Sequence, residues 1–205
     1  MHQRIAWHYS TPGIPDDWFI QGGVPMTKAE ARTITLSRAR LKRDSIIYDI
    51  GAGTGSIAVE AALLAPQGQV FAVERNPEAI GLIRQNAIRF GAGNLEIIEG
   101  EAPGALSDLS PADRIIIGGS GGHLRDILCV AREKLLDGGR LVINSISLET
   151  FCTSLEALPW EGLWIADICC VTVARVAGIE EVRMWQGLNP VYIITAVKGK
   201  EEAQR

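Results

Sequence analysis

Asp49-Ile50-Gly51-Ala52-Gly53-Thr54-Gly55 joins an apolar run, Ile46-Ile47-Tyr48, to a helix-forming run, Ile57-Ala58-Val59-Glu60-Ala61-Ala62-Leu63-Leu64. A strand that turns through closely spaced glycines into a helix leaves a cradle of nucleotide size. Residues without a Cβ let the backbone approach a ligand and adopt conformations a side chain forbids. A dinucleotide site needs G-x-G-x-x-G, but here the glycines fall at 51, 53 and 55, and position 56 is Ser. A P-loop needs Gly-Lys-Ser/Thr after its spacer, and none follows. The plain alternative is a tight strand–helix turn with no ligand; the acid, the spaced glycines and both flanking elements favour the ligand.

The pattern acid-x-G-x-G-x-G resembles motif I of the class I S-adenosylmethionine (SAM) methyltransferases. In that superfamily the loop packs against the methionine and ribose part of the cofactor. SAM has no phosphate and carries a positive sulfonium, so a carboxylate at position 49 helps rather than repels.

A chain of 205 residues fits one domain with short extensions, and 47% hydrophobic residues suffice for a substantial core. A net charge of −4 does not suggest a bulk nucleic-acid binder, although it leaves room for a local basic patch. Cys129, Cys152, Cys169 and Cys170 include no C-x-x-C pair and no zinc-like spacing. Reduced, mostly buried thiols and a cytoplasmic location are expected. The first residues lack a signal core, no run is long enough to span a membrane, and Lys198–Glu202 reads as a frayed, solvated end.

Residues 1–25, rich in Pro and Gly, read as an irregular arm, and residues 26–199 as the folded domain. Thr27-Lys28-Ala29-Glu30 predicts a capping box opening a helix to about Leu41. A helix start behind a mobile Gly/Pro arm is also a natural lid over a cofactor. Strand, helix and strand follow at Ile46–Ile50, 55–65 and Gln69–Glu74. Asn76-Pro77-Glu78 opens a helix that stops at Gly91. Strands are expected at Leu95–Glu99, Asp113–Ile117 and Leu141–Ile143. A helix carrying Leu124, Ile127, Leu128, Ala131 and Leu135 should end at Gly138-Gly139, and a short helix is expected near 148–157. Strand-like runs from Ile168 to Val176 and from Val191 to Val197 close the chain as an antiparallel hairpin. Five strands alternating with helices imply parallel pairing by right-handed crossovers. The expected fold is α/β, Rossmann-like, a seven-stranded mostly parallel sheet of the class I methyltransferase type.

Glu74 ends the second strand and can accept both ribose hydroxyls; its plain alternative is an exposed strand-end acid. Arg75 reads as surface or adenine-edge. Glu99-Gly100-Glu101-Ala102 ends the third strand, where the resembled superfamily meets the adenine edge with an acid, Glu101, and a backbone amide, Ala102. Gly118-Gly119-Ser120-Gly121-Gly122-His123 ends the fourth, and its four glycines leave room for a large, flat acceptor. His123 is either a proton carrier or simply a polar residue in the first turn of a helix.

Taken together and in order, six segments narrow the resemblance: Pro12-Gly13-Ile14-Pro15-Asp16-Asp17-Trp18-Phe19-Ile20, Pro25-Met26-Thr27-Lys28 with Glu30 and Arg32, the 49–56 loop, Glu74-Arg75-Asn76-Pro77-Glu78-Ala79, Glu99-Gly100-Glu101-Ala102-Pro103 and Gly118–Gly122. They resemble the decarboxylating precorrin C15-methyltransferases of cobalamin biosynthesis from about Gly13 to Val197. The resemblance implies a stand-alone enzyme that methylates C15 of cobalt-precorrin-6B and removes carbon dioxide from the ring C acetate. It implies SAM as cofactor, a tetrapyrrole as substrate and a homotetramer. It places Thr27, Gly51, Ala52, Gly53, Thr54, Gly55, Glu74, Glu101 and Ala102 on SAM, and Gly118 to Gly122 toward the acceptor. Glu74 and Glu101 stand where the family often has Asp, with the charge kept. A polycarboxylate substrate calls for arginines, and Arg32, Arg125, Arg175 and Arg183 are the candidates. A tRNA or protein methyltransferase of the same fold, and a SAM-binding module without catalysis, are the competing readings.

Overall fold

The computed structural model describes residues 5–177 and 183–199. Its elements run α1 (Ala29–Ala39), β1 (Ile46–Ile50), α2 (Ser56–Leu64), β2 (Gln69–Glu74), α3 (Pro77–Phe90), β3 (Leu95–Glu99), β4 (Ala112–Ile117), α4 (Leu124–Lys134), β5 (Leu135–Ser145), α5 (Leu148–Trp160), β6 (Leu163–Val171), β7 (Ala174–Ala177), β8 (Met184–Gly187) and β9 (Val191–Lys198). Seven strands form one sheet in the order β3-β2-β1-β4-β5-β9-β6. β1 to β5 pair in parallel, and β9 lies antiparallel to both β5 and β6. The strand order reverses between β1 and β4, the place where open α/β sheets bind ligands beyond their carboxyl ends.

Central strands read as apolar runs because both faces are covered. Side chains alternate across the sheet: Ile115 and Ile117 pack with Leu124, Ile127 and Leu128 of α4 and Leu158 of α5, while Ile116 packs with Ala58 and Ala61 of α2 and Leu36 of α1. A third cluster, Ile14, Phe19, Val59 and Phe90, docks the N-terminal arm on α2 and α3. The described part of the arm carries a single 3-10 turn at Asp16–Trp18. It is also pinned: Glu60 accepts the Gly13 and Ile14 amides at 2.7 and 3.1 Å.

α3 begins and ends as its sequence predicts. The Asn76 side chain accepts the Glu78 amide, and Gly91 closes the helix in the left-handed region at φ 69°. The capping box expected at Thr27–Glu30 does not form. Lys28 is the N-cap and makes no side-chain cap; Asp16 reaches across instead and accepts the Ala29 amide at 2.9 Å. α1 stops at Ala39 because Arg40 turns left-handed at φ 49°. α4 stops at Lys134, short of Gly138-Gly139, because Leu135 already pairs with Ala112 of β4. α5 continues to Trp160, past the expected 157.

The run from Ile168 to Val176 divides. β6 pairs with β9 as far as Val171, and the next strand leaves the sheet to form a separate two-stranded ribbon, β7–β8. Cys129, Cys152 and Cys170 are exposed and Cys169 half-buried, contrary to the expected burial, and all four are free thiols. On α4 the inward face is taken by Leu124, Ile127, Leu128 and Ala131, which leaves Cys129 outside. Among the described residues no helix is long and apolar enough to cross a membrane. Of the tail expected to be solvated, residues 200–202 lie outside the described residues.

Candidate functional site

A cavity of about 590 Å³ opens at the carboxyl ends of β1, β2, β4 and β5, beside the reversal of strand order. Of the residues expected on the cofactor, Thr27, Gly51, Ala52, Gly53, Thr54, Glu74, Glu101 and Ala102 all line it. Gly55 does not; it lies beneath the loop at φ 76°, where a Cβ would meet Ile83 at 3.1 Å. Gly118, Gly119, Ser120 and Gly121 form a further wall, while Gly122 and His123 fall outside the lining.

The two glycine loops touch backbone to backbone. A Cβ on Gly51, at φ 70°, would lie 2.4 Å from the Gly119 carbonyl oxygen. The Gly51 amide is already turned back to donate to Val73 O at 2.9 Å. β1 and β4 are adjacent in the sheet, so their loops meet directly above the strand ends.

Glu74 organises the cradle. Its Oε2 accepts the Gly53 amide at 2.9 Å, and its Oε1 accepts those of Arg75 and Asn76, each at 2.9 Å. Three fixed donors hold the carboxylate at the cavity wall with acceptor capacity remaining. Glu101 pairs with the Arg75 guanidinium, and His123 Nε2 lies 3.7 Å away. His123 is half-exposed just before α4, also 3.9 Å from Asp126.

Asp49 also stands at the cavity, a residue that the family resemblance does not place on the cofactor. It is 1% exposed, lines the cavity, and neither carboxylate oxygen has a hydrogen bond of ordinary geometry. Burial pushes its pKa up to about 7; the Ala58 backbone opposes the shift and the Glu74 carboxylate reinforces it. A buried, unpartnered carboxyl beside a cavity is suited to a cation. The acid before the glycines was the available signal. Asn144, at the end of β5, also lines the cavity, and its Nδ2 is buried without a partner. No sequence signal marks it.

None of the four candidate arginines lines the cavity. Arg32 is fully buried, held by Glu60, Asp16 and the carbonyls of Thr27 and Ile14. A guanidinium so committed cannot meet a substrate carboxylate. Arg125 pairs with Glu156 at 2.6 Å, Arg175 with Glu30 and Asp16 at 2.6 and 3.0 Å, and Arg183 is exposed beside β8. The basic residues at the wall are Lys28 and Arg75. Among the described residues no group of His, Cys, Asp or Glu is arranged to hold a metal ion.

The site fits SAM on three counts. Its glycine loop admits close backbone approach, Asp49 is a buried carboxyl without an ordinary hydrogen bond, and Glu74 keeps acceptor capacity at the wall. Comparison with known proteins points to one family. The profile of a family described as a precorrin methyltransferase domain matches residues 17–198. A relative from Pyrobaculum calidifontis, named a probable cobalt-precorrin-6B C(15)-methyltransferase (decarboxylating), is 42% identical over 195 residues, covering 94% of this chain and 99% of its own. The Salmonella typhimurium protein of the same name, without the word probable, is 39% identical over 184 residues, covering 89% and 95%. The crystal structure of a precorrin-6y C5,15-methyltransferase from Geobacter metallireducens superposes with a TM-score of 0.87 at 42% identity, covering 93% of this chain and 100% of that one.

Proposed function

The chain belongs to the precorrin methyltransferase family, and from that premise we propose that it is a SAM-dependent enzyme that methylates C15 of cobalt-precorrin-6B and decarboxylates the ring C acetate. The observation that carries the reading is one cavity lined by two chemically different sets of residues. Asp49, Gly51 to Thr54 and Glu74 bring carboxyl groups and bare backbone suited to the cofactor. Gly118 to Gly121, with Ile146, Val171, Val173 and Leu188, bring glycines and apolar surface suited to a flat acceptor.

Bound SAM supplies a methyl group already activated by its sulfonium. The protein's part is therefore mostly orientation and exclusion of water. Asp49 would answer the cofactor's positive charge. Glu74, fixed by three amides, would take hydroxyl hydrogen bonds. Glu101 and the Ala102 backbone would serve the base edge, with Arg75 holding Glu101 in place. Thr27 closes the cradle from the start of α1, its position set by the Arg32 bond to its carbonyl at 2.5 Å. The electron-rich macrocycle is itself the carbon nucleophile, so no activating base is required of the chain. In the second step the bond from the acetate methylene to its carboxylate breaks, and carbon dioxide leaves. The electron pair enters the conjugated ring, and the methylene carbon takes a proton from solvent to become a methyl group.

Two further parts of the reading rest on the family resemblance. A homotetramer agrees with the exposed Val176, Met184 and Trp185 of the β7–β8 ribbon, since contiguous apolar surface favours association. A cytoplasmic location agrees with four unbridged cysteines.

Purified protein incubated with labelled SAM and, in parallel, cobalt-precorrin-6B, bulk tRNA and bulk protein tests the function. A corrinoid product that gains methyl and loses carbon dioxide is expected. Label in tRNA or protein alone would overturn the assignment, and SAM binding without transfer to any of the three would point to a non-catalytic module.

A further inference from the structure

Arg114 of β4 and Arg140 of β5 are register partners on neighbouring strands. Both sit on the sheet face that carries α1, two residues before Ile116 and Val142 of the core beneath that helix. They lie at the amino ends of their strands, away from the main cavity, and neither lines it. Both are buried, at 7 and 8% exposed, although like charges set side by side repel and a buried cation is ordinarily paired.

Part of the reason for them is structural. Arg114 Nε and Nη2 donate to Arg40 O at 3.2 and 3.0 Å, and Arg140 Nε donates to Arg38 O at 3.0 Å. These carbonyls end α1, so the two guanidiniums cover the negative pole of the helix. Capping does not account for the charge that remains. The two capped residues are themselves arginines, which brings four cations to one corner. The acids beside them are Asp113, 3.2 Å from Arg114, and Asp167, 3.2 Å from Arg38. Burial, then Arg40, Arg114 and Arg38, hold the Arg140 guanidinium below its usual value, with Asp167 opposing. Arg140 Nη1 and Nη2 have no hydrogen-bond partner among the described residues, and neither atom is sealed from solvent. Arg40 is exposed, and its guanidinium has no partner among the described residues either.

We propose that the corner formed by Arg38, Arg40, Arg114 and Arg140 is a binding site for an oxyanion of the phosphate type, received on the open edge of Arg140 and flanked by Arg38 and Arg40. Arg114, committed to Asp113 and to the Arg40 carbonyl, holds the frame. A planar guanidinium presents two parallel donors that match two oxygens of such a group. A doubly charged anion also matches the two positive charges left over by Asp113 and Asp167, which a single carboxylate does not. The chain as a whole carries a net charge of −4, so the corner is a local concentration and not part of a generally basic surface. The main cavity lies at the other ends of the same strands, which makes this a second site, separate from methyl transfer.

Calorimetric titration of the full-length protein with sodium phosphate, against chloride of equal ionic strength, tests the site. One saturable site per chain is expected. Inorganic tripolyphosphate should occupy it too: equal affinity identifies a single phosphate group as the ligand, and tighter binding a polyphosphate chain. Arg140→Gln and, separately, Arg40→Gln should each weaken phosphate binding about tenfold or more, as for a lost hydrogen bond between charged groups. Arg40→Gln leaves every carbonyl cap of α1 in place and serves if the Arg140 variant fails to fold. It also has a signature that a purely structural role lacks. In phosphate-free buffer of low ionic strength, removing one crowded charge should raise Tm, and added phosphate should stabilise this variant less than the wild type. A charge kept only to hold α1 would give a lower Tm on removal. Absence of saturable binding, or wild-type affinity in both variants, as for phosphate held by Lys28 and Arg75 in the main cavity, would overturn the inference. So would an Arg40→Gln protein less stable than the wild type without phosphate.

Discussion

Arg32 Nε and Glu60 Oε1 meet at 2.5 Å with neither side chain more than 2% exposed. Around this pair gather the Gly13 and Ile14 amides, the Thr27 and Ile14 carbonyls and Asp16. The network joins the N-terminal arm, α1 and α2 into a single support under the cofactor cradle. Removing one member of a buried pair leaves the other charge uncompensated, which costs about 3–5 kcal/mol. Arg32→Met should therefore destabilise the fold by that order, read from chemical denaturation. A stable variant with raised KM for the corrinoid would instead restore Arg32 as a substrate-binding residue.

Asp49 makes both stability and cofactor binding depend on pH. Its carboxyl holds its proton to about pH 7, whereas the ordinary value is 3.8. As pH rises between these values, the unfolded chain gives up this proton and the folded one keeps it. The unliganded protein should therefore lose stability from about pH 4 to about pH 7, and Asp49→Asn should flatten that part of the curve. A cationic ligand favours the ionised form, so SAM affinity should rise with pH up to about 7, with proton release detectable by calorimetry in buffers of different ionisation enthalpy. Identical pH profiles for wild type and Asp49→Asn would refute both expectations.

Glu74→Ala removes the acceptor for three backbone amides together with the proposed hydroxyl contacts. SAM affinity should drop about ten- to a hundredfold, with the fold intact by circular dichroism. Glu74→Gln, which keeps one oxygen, should fall between. Unchanged affinity in the alanine variant would remove Glu74 from the cofactor site.

Gly51→Ala places a Cβ 2.4 Å from Gly119 O at a positive φ. Neither backbone can yield without moving the end of a central strand. Loss of SAM binding is expected, with destabilisation of at least about 1–3 kcal/mol from the strained backbone alone. Gly93→Ala, where a Cβ would meet nothing within 4 Å, is the matched control.

The legible parts of this protein are those written locally. The cradle follows from a strand, three glycines and a helix in sequence, and α3 from Asn76, Pro77 and Gly91 within 16 residues of one another. The illegible parts are contacts between distant segments. Asp16 caps α1 from 13 residues upstream, overriding a capping box that looked complete. Arg32 resembles a surface cation in a polar helix start, and only the folded chain brings Glu60, 28 residues on, against it. Asn144 is one polar residue at a strand end until Thr35, 109 residues earlier, is set beside it. The passage from β6 into the ribbon has no compositional mark, because Val171, Val173 and Val176 favour extended structure in either sheet.

The position of β9 between β5 and β6 bears on how the chain can mature during synthesis. β6 emerges first yet has no partner in the main sheet except β9, which emerges last of the seven. Through that interval β5 offers an open edge, and β6 stays unattached until β9 slides between them. Such late, non-local pairing slows folding and leaves adhesive strand edges bare on a nascent polypeptide. Half of the binding cleft, meanwhile, is already in place, because β1 to β4 and their loops precede it. The glycine loop, Glu74 and Glu101 thus leave synthesis well before Val171, Val173, Leu188 and Val191, the last parts of the cavity wall.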